Sequence, residues 1–522
     1  MNRLVGTFAL EAKVVWRYGV VAIAAVLAVL WTGLLLALPS QGAQVLVPYL
    51  LFLDTAGFGA LFAVALLMFE RVEGTDAARA VTPVSPGEAA LVRVGTLTLP
   101  VVAMAVPMVV VTAPAGRLWG ALGYAVTGVA LTSVLLVAVC LGLGALTRTF
   151  QGALLAAAPA IAPLVAVPVL HLSGAVQSPL LWAVPTTAGA ELISRGLTGQ
   201  AGLPEGPAWW AAVLYAVGCA VALCWWAARR TTVTGEGTVL RGGRGTGEGV
   251  PIADRGPRRR FARRSARVRP RPVGPGRVLH PVVSLARYEL AGARRDPLLL
   301  AVALAPLPLA LALRWACPAL VEYLRSTHGF DLAPHAPAVF GALVLLHVPV
   351  MVGAVVALRV TEDADDRALL VLRVTPLSLT AYFGFRVGTA LLLTLTGLAI
   401  AVPVSGLGPA MSSDLVVAVV LAALFAPLVV LTAVAFASNK VEALVVVKGA
   451  AAVSVLVPVL VWVLPGLWWS PLLLLPPAWA LLTLPGSPGA AVPAAAVLLG
   501  GLVSAGAVAL VLVRRTRARL LG

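Results

Sequence analysis

Twelve runs of about twenty apolar residues follow one another along this chain, and a bilayer rather than a soluble core requires such runs. Only 11% of the residues are charged, against roughly 25% in a typical soluble domain. The runs form two sets of six. The first set reads 18–38, 45–69, 92–112, 121–146, 153–171 and 209–228; the second reads 298–321, 338–358, 382–404, 415–436, 446–464 and 490–513. An even number of spans returns each half to its starting side. The expected fold is therefore an all-α polytopic membrane protein, with about twelve transmembrane helices as two parallel six-helix repeats. Between them, residues 231–276 are rich in Gly, Arg and Pro and poor in large apolar side chains, which predicts a basic disordered linker. The expected units are a first six-span half at 1–230, the linker at 231–276 and a second six-span half at 277–522.

A net charge of +17 invites a nucleic-acid reading, but the arginines are not interleaved with aromatic residues as on a base-stacking surface. They concentrate between Arg229 and Arg295 and at Arg514, Arg515, Arg517 and Arg519. Excess positive charge stays on the cytoplasmic side. With both termini inside, that side also receives Arg71, Arg79, Arg93, Arg148, Arg359, Arg367, Arg373, Arg386 and Lys440, and the outside little beyond Arg117, Arg195 and Arg325. The expected location is the plasma (inner) membrane, with no nucleic-acid partner. Lysine occurs at only three positions (Lys13, Lys440, Lys448), a bias that points to a high-GC, actinobacterial source. The four cysteines lie within apolar runs and lack metal-ligand spacing, so they read as packing residues.

A polar segment recurs. Val81-Thr82-Pro83-Val84-Ser85 leads to Arg93, and Val374-Thr375-Pro376-Leu377-Ser378 leads to Arg386, at a constant offset of 293 residues. Acidic residues precede each copy: Glu70, Glu73 and Asp76 in the first, Glu362, Asp363, Asp365 and Asp366 in the second. Thr82-Pro83 and Thr375-Pro376 each put a hydroxyl beside a fixed backbone angle, a good start for a short helix. A rigid charged projection at matched positions suits docking to a cytosolic partner. The halves are also alike ahead of their first spans. Glu11 precedes Arg17, and Glu289 precedes Arg295, in amphipathic stretches that predict interfacial helices along the inner leaflet.

Glu70-Arg71-Val72-Glu73-Gly74-Thr75, the Thr-Pro segment and Arg93 together resemble ABC exporter permeases of the ABC-2 class. So do Asp365-Asp366-Arg367, Arg373-Val374-Thr375-Pro376-Leu377-Ser378 and Arg386. Drug-export permeases of the fluoroquinolone-transport kind are the most similar. The resemblance implies a six-span half that begins with a connecting helix and whose loop after the second span contacts an ATPase. It implies docking roles for Glu70, Arg71, Glu73, Thr82, Pro83, Ser85, Arg93, Asp365, Asp366, Arg367, Arg373, Thr375, Pro376, Ser378 and Arg386. The chain departs from the common pattern in fusing its halves. Ala80, standing where the second copy has Arg373, makes the two loops unequal.

The sequence contains no phosphate-cradling Gly-x-x-x-x-Gly-Lys-Ser/Thr motif, so ATP would be bound by a separate ATPase subunit, in two copies, and no cofactor by this chain. Paired carboxylates, metal-spaced histidines and a nucleophile elbow are missing too, which argues against an enzyme acting on lipid. A self-sufficient ion-coupled transporter is the alternative, but it normally needs several intramembrane carboxylates, and Asp54 is the clear candidate. The 293 offset maps Asp54 onto His347, which makes these two an expected pair on a substrate path. Apolar walls suit hydrophobic or amphiphilic compounds, drugs among them.

Overall fold

The computed structural model describes residues 3–73, 84–147, 150–174, 176, 178–198, 206–242, 287, 300, 304–365 and 378–521. Among these, twelve helices are long and apolar enough to cross a membrane. The first six are Val20–Ala37, Ser40–Glu70, Gly87–Thr112, Leu118–Leu146, Leu155–Leu172 and Pro207–Thr231. The second six are Pro306–Ser326, Ala333–Asp365, Leu379–Ser405, Ser413–Phe436, Lys440–Val463 and Ala494–Ala518. This all-α, twelve-span plan is the one expected from the apolar runs.

Several boundaries move, each for a local reason. The seventh-span helix is described from Pro306, in whose first turn the missing proline N–H would have no partner. The tenth span is two helices, Ser413–Ala423 and Phe425–Phe436, and Pro427 in the first turn of the second cannot donate back across the break. The helix of the sixth span runs on to Gly242, so the first twelve residues of the expected linker are helical. Elongating an existing helix avoids the cost of nucleation. The rest of the linker, and the second amphipathic stretch at 288–295, lie outside the described residues.

Ahead of the first span, Arg3–Arg17 forms the expected amphipathic helix. Gly19 ends it with a left-handed backbone (φ 74°), so the chain can turn at once into Val20–Ala37. Leu4, Val5, Phe8, Leu10 and Trp16 are exposed along this helix, as an interfacial helix requires. One charge departs from the expected arrangement, for Glu11 is buried.

The halves meet where the first and second spans pack on the eleventh. One apolar core crosses that boundary, with Ile23, Leu27 and Leu51 from the first half and Leu444, Ala452 and Leu456 from the second. Within the first half, a helix at Thr186–Thr198 lies between the fifth and sixth spans and packs into the fourth. Glycine makes that approach possible. A Cβ on Gly128 would stand 2.5 Å from the Gly189 carbonyl oxygen, closer than any side-chain carbon tolerates.

Candidate functional site

The third span begins at a helix cap. Ser85 Oγ accepts from the Glu88 amide at 3.2 Å, and the Glu88 carboxylate accepts from the Ser85 amide at 2.9 Å, which closes a capping box ahead of Pro86. In the second half, Ser378 Oγ accepts from the Ala381 amide at 3.1 Å. These serines are exposed and equivalent under the repeat. Each serine caps the third span of its half, Ser85 ahead of Pro86 and Ser378 ahead of Leu379; the threonine–proline steps expected to start a short helix fall outside the described residues. Thr82, Pro83, Asp366, Arg367, Arg373, Thr375 and Pro376 lie outside the described residues. Arg71 and Glu73 sit on the last turn of the second-span helix. Asp365 closes the eighth-span helix.

Behind each cap lies a buried charge cluster. Arg93 donates from Nη2 to Glu11 Oε1 at 2.9 Å and from Nε to Glu11 Oε2 at 3.3 Å, and a second ion pair joins it to Glu70. Its side chain is 3% exposed and that of Glu11 2%. One guanidinium thus ties the interfacial helix, the end of the second span and the start of the third. Arg3 and Glu88 add a bridge of 2.9 Å between the same helix and the third span. In the second half Arg386 donates to Asp363 at 2.7 Å, and Tyr382 is hydrogen-bonded to both. The offset that carries Arg93 to Arg386 also carries Glu70 to Asp363. The same salt bridge therefore joins the end of the second span to the third span in each half.

Glu70, Arg93 and Arg386 are largely buried in these clusters. Their charges face inward and join the end of the second span to the start of the third. Sequence reasoning missed Glu11 and Asp363 as members of the clusters. The offset of 293 could have found Asp363 as the image of Glu70. Glu11 stood on a helix whose charges were expected to face water.

The other expected pair also resolves differently. Asp54 lies in a π-helical stretch, Leu50–Thr55, and a second π-helical stretch, Gly341–Leu345, ends just before His347. Such wide turns recur at functional positions in helices. Yet Asp54 does not meet His347. It forms an ion pair with Lys448 of the eleventh span and accepts a hydrogen bond of 2.7 Å from the buried Trp31 indole N–H. The repeat fails here, since its image of Lys448 is Leu155. Arg314 donates to the Val404 carbonyl at 3.3 Å, near the end of the ninth span.

Between the fifth and sixth spans, Glu191 is buried and joined to His171 Nε2 at 2.9 Å and to Arg195 Nε at 2.7 Å. Arg195 also lies over the Trp209 ring, 3.8 Å from its centroid. This network fastens the Thr186–Thr198 helix to both neighbouring spans.

Among the described residues, twelve helices long and apolar enough to cross a membrane, in two halves with matching ion pairs between second and third spans, define a multi-pass membrane protein. Residues 2–233 match the fluoroquinolones export permease protein family, and residues 289–513 match the fluoroquinolones export permease protein Rv2686c-like family. The fluoroquinolones export permease protein Rv2686c of Mycobacterium tuberculosis is 31% identical over 200 residues, which cover 38% of this chain and 79% of that protein. The fluoroquinolones export permease protein Rv2687c of the same organism is 30% identical over 232 residues, covering 43% of this chain and 92% of that protein. The chain belongs to the fluoroquinolones export permease family, as the resemblance of its loops to drug-export permeases implied.

Proposed function

We propose that this chain supplies both membrane halves of an ATP-driven exporter of amphiphilic drugs. A separate ATPase, in two copies, binds and hydrolyses ATP, and one copy docks at each loop after a second span. Both termini lie on the cytoplasmic side, where the arginines concentrate. The substrate class is taken from the names of the relatives. What carries the reading is the pair of family matches: each half of one polypeptide matches an export-permease family, and Rv2686c and Rv2687c are separate chains of about half this length.

Within each loop, the contact with the ATPase falls to the residues outside the inward-facing cluster. In the first these are Arg71, Glu73, Thr82, Pro83 and Ser85. In the second they are Asp365, Asp366, Arg367, Arg373, Thr375, Pro376 and Ser378. The clamps at Arg93 and Arg386 hold the loops so that closure of the ATPase pair rocks the halves. The test is purification from native membranes in mild detergent, with identification of co-purifying proteins and an ATPase assay. A stoichiometric ATPase partner, lost on charge reversal at Glu73, Asp365 and Asp366 while membrane insertion is kept, is the expected result. A chain that purifies alone and transports under an ion gradient would instead establish a secondary transporter.

A further inference from the structure

The Asp54–Lys448 ion pair joins the two halves, whereas the Arg93–Glu11, Arg93–Glu70 and Arg386–Asp363 pairs each stay within one half. Asp54 lies fourteen residues from Ser40 and sixteen from Glu70, the ends of its span. At 1.5 Å per residue that is ~21 Å and ~24 Å, close to the middle of the span. The pair also differs from the clamps in accessibility. Asp54 keeps 19% of its side-chain surface and Lys448 17%, against 3% for Arg93. Trp31 orients the carboxylate from one side, and the π-helical stretch that carries Asp54 widens the helix at that level.

We propose that Asp54 and Lys448 form the recognition point for a zwitterionic amphiphile, one that carries both a carboxylate and an ammonium group. When such a molecule enters between the halves, its carboxylate takes the Lys448 ammonium and its ammonium takes the Asp54 carboxylate. Two desolvated charges become four, and none is left unpaired, which keeps the penalty for bringing a zwitterion to this depth small. A monocation satisfies Asp54 but strands Lys448, so the site discriminates against it by an unpaired charge. Lysine suits this exchange better than arginine, because its compact ammonium makes no bidentate fork with the carboxylate. The position has no image in the repeat, as a recognition point set at one interface between unequal halves requires. The proposal rests on the export-permease reading only for the choice of probe.

The experiment measures equilibrium binding to the purified full-length protein at neutral pH, through the intrinsic fluorescence of two probes. Ciprofloxacin is a zwitterion; its ethyl ester is a monocation with the same ring system. Wild-type protein is expected to bind ciprofloxacin at least tenfold more tightly than the ester. Lys448→Gln should lower ciprofloxacin affinity at least tenfold and raise that of the ester. Because removing one partner of an ion pair can disturb folding, the decisive variant is the neutral double substitution Asp54→Asn with Lys448→Gln, which leaves no lone charge. It should lose the preference for the zwitterion while eluting as a monodisperse species. A double variant that keeps both the wild-type affinity and the preference overturns the site and leaves the pair a link between the halves. Wild-type protein that binds neither probe overturns it too. Co-purification of an ATPase, scored on the same preparations, decides the permease reading separately in every case.

Discussion

Replacing Arg93 by methionine leaves the Glu11 and Glu70 carboxylates facing each other with no cation between them. Glu11 is almost wholly buried and Glu70 nearly so, so neither charge regains water without moving its helix. Breaking a buried ion pair in this way costs roughly 3–5 kcal/mol. A folding unit of about two hundred residues loses roughly 2–4 °C of melting midpoint per kcal/mol. The product is a fall of about 6–20 °C for Arg93→Met, read by size-exclusion chromatography after stepwise heating in detergent. Arg386→Met should cost less, because Asp363 keeps 24% of its side-chain surface and recovers solvation when its partner leaves. The triple variant Glu11→Leu, Glu70→Gln, Arg93→Met removes the charges together and should recover most of the loss, since apolar replacement of a whole buried cluster is close to neutral. An Arg93→Met protein that melts within ~2 °C of wild type, or an Arg386→Met protein that is the less stable of the two, would refute the clamp. So would a triple variant no more stable than Arg93→Met alone.

Ser85→Ala removes the side-chain half of the capping box and should cost about 1 kcal/mol, seen as a small fall in melting midpoint with ATPase co-purification kept. Gly189→Leu puts a side chain where the Gly128 carbonyl and the Thr132 hydroxyl already stand. It should expel the Thr186–Thr198 helix from its seat, and a cysteine introduced at Ala190, which is buried, should then react with a membrane-impermeant maleimide. Glu191→Gln leaves Arg195 and His171 without their carboxylate and should lower the melting midpoint more than Arg195→Gln does, because Glu191 serves two partners. Reporter tags at residue 1 and residue 522 should both be protected from protease in right-side-out vesicles; digestion of either reverses the proposed orientation.

The spans were legible because membrane insertion is written locally: twenty apolar residues are enough, whatever they pack against. The clamps were half legible. The repeat pairs Arg93 with Arg386, and the same offset pairs Glu70 with Asp363, but an offset cannot say that the charges turn inward. Burial is set by the interfacial helix, whose Glu11 meets a residue eighty-two positions away. Asp54 was legible as an intramembrane charge and illegible as to its partner. Repeat symmetry pointed to His347, and it fails where the halves meet, because the first span packs on the eleventh and Lys448 comes from 394 residues further along the chain. The serine caps were overlooked because each adjacent threonine–proline step carried the stronger local signal.

Where the halves obey the repeat and where they break it divides the molecule by task. Holding the loop after the second span is a demand both halves share, and both meet it with an arginine on the third span and an acid at the end of the second. Contact between the halves is a single event per molecule, and nothing forces its two sides to match once they are fused. In an assembly of identical halves, a lysine at the position of Lys448 would appear twice, each copy needing its own acid. Fusion removes that constraint, so Lys448 can stand alone against Asp54 while Leu155 and His347 occupy the corresponding places in the repeat. The matches of the two halves to different permease families fit this division, since each half is free to specialise only when its partner is fixed.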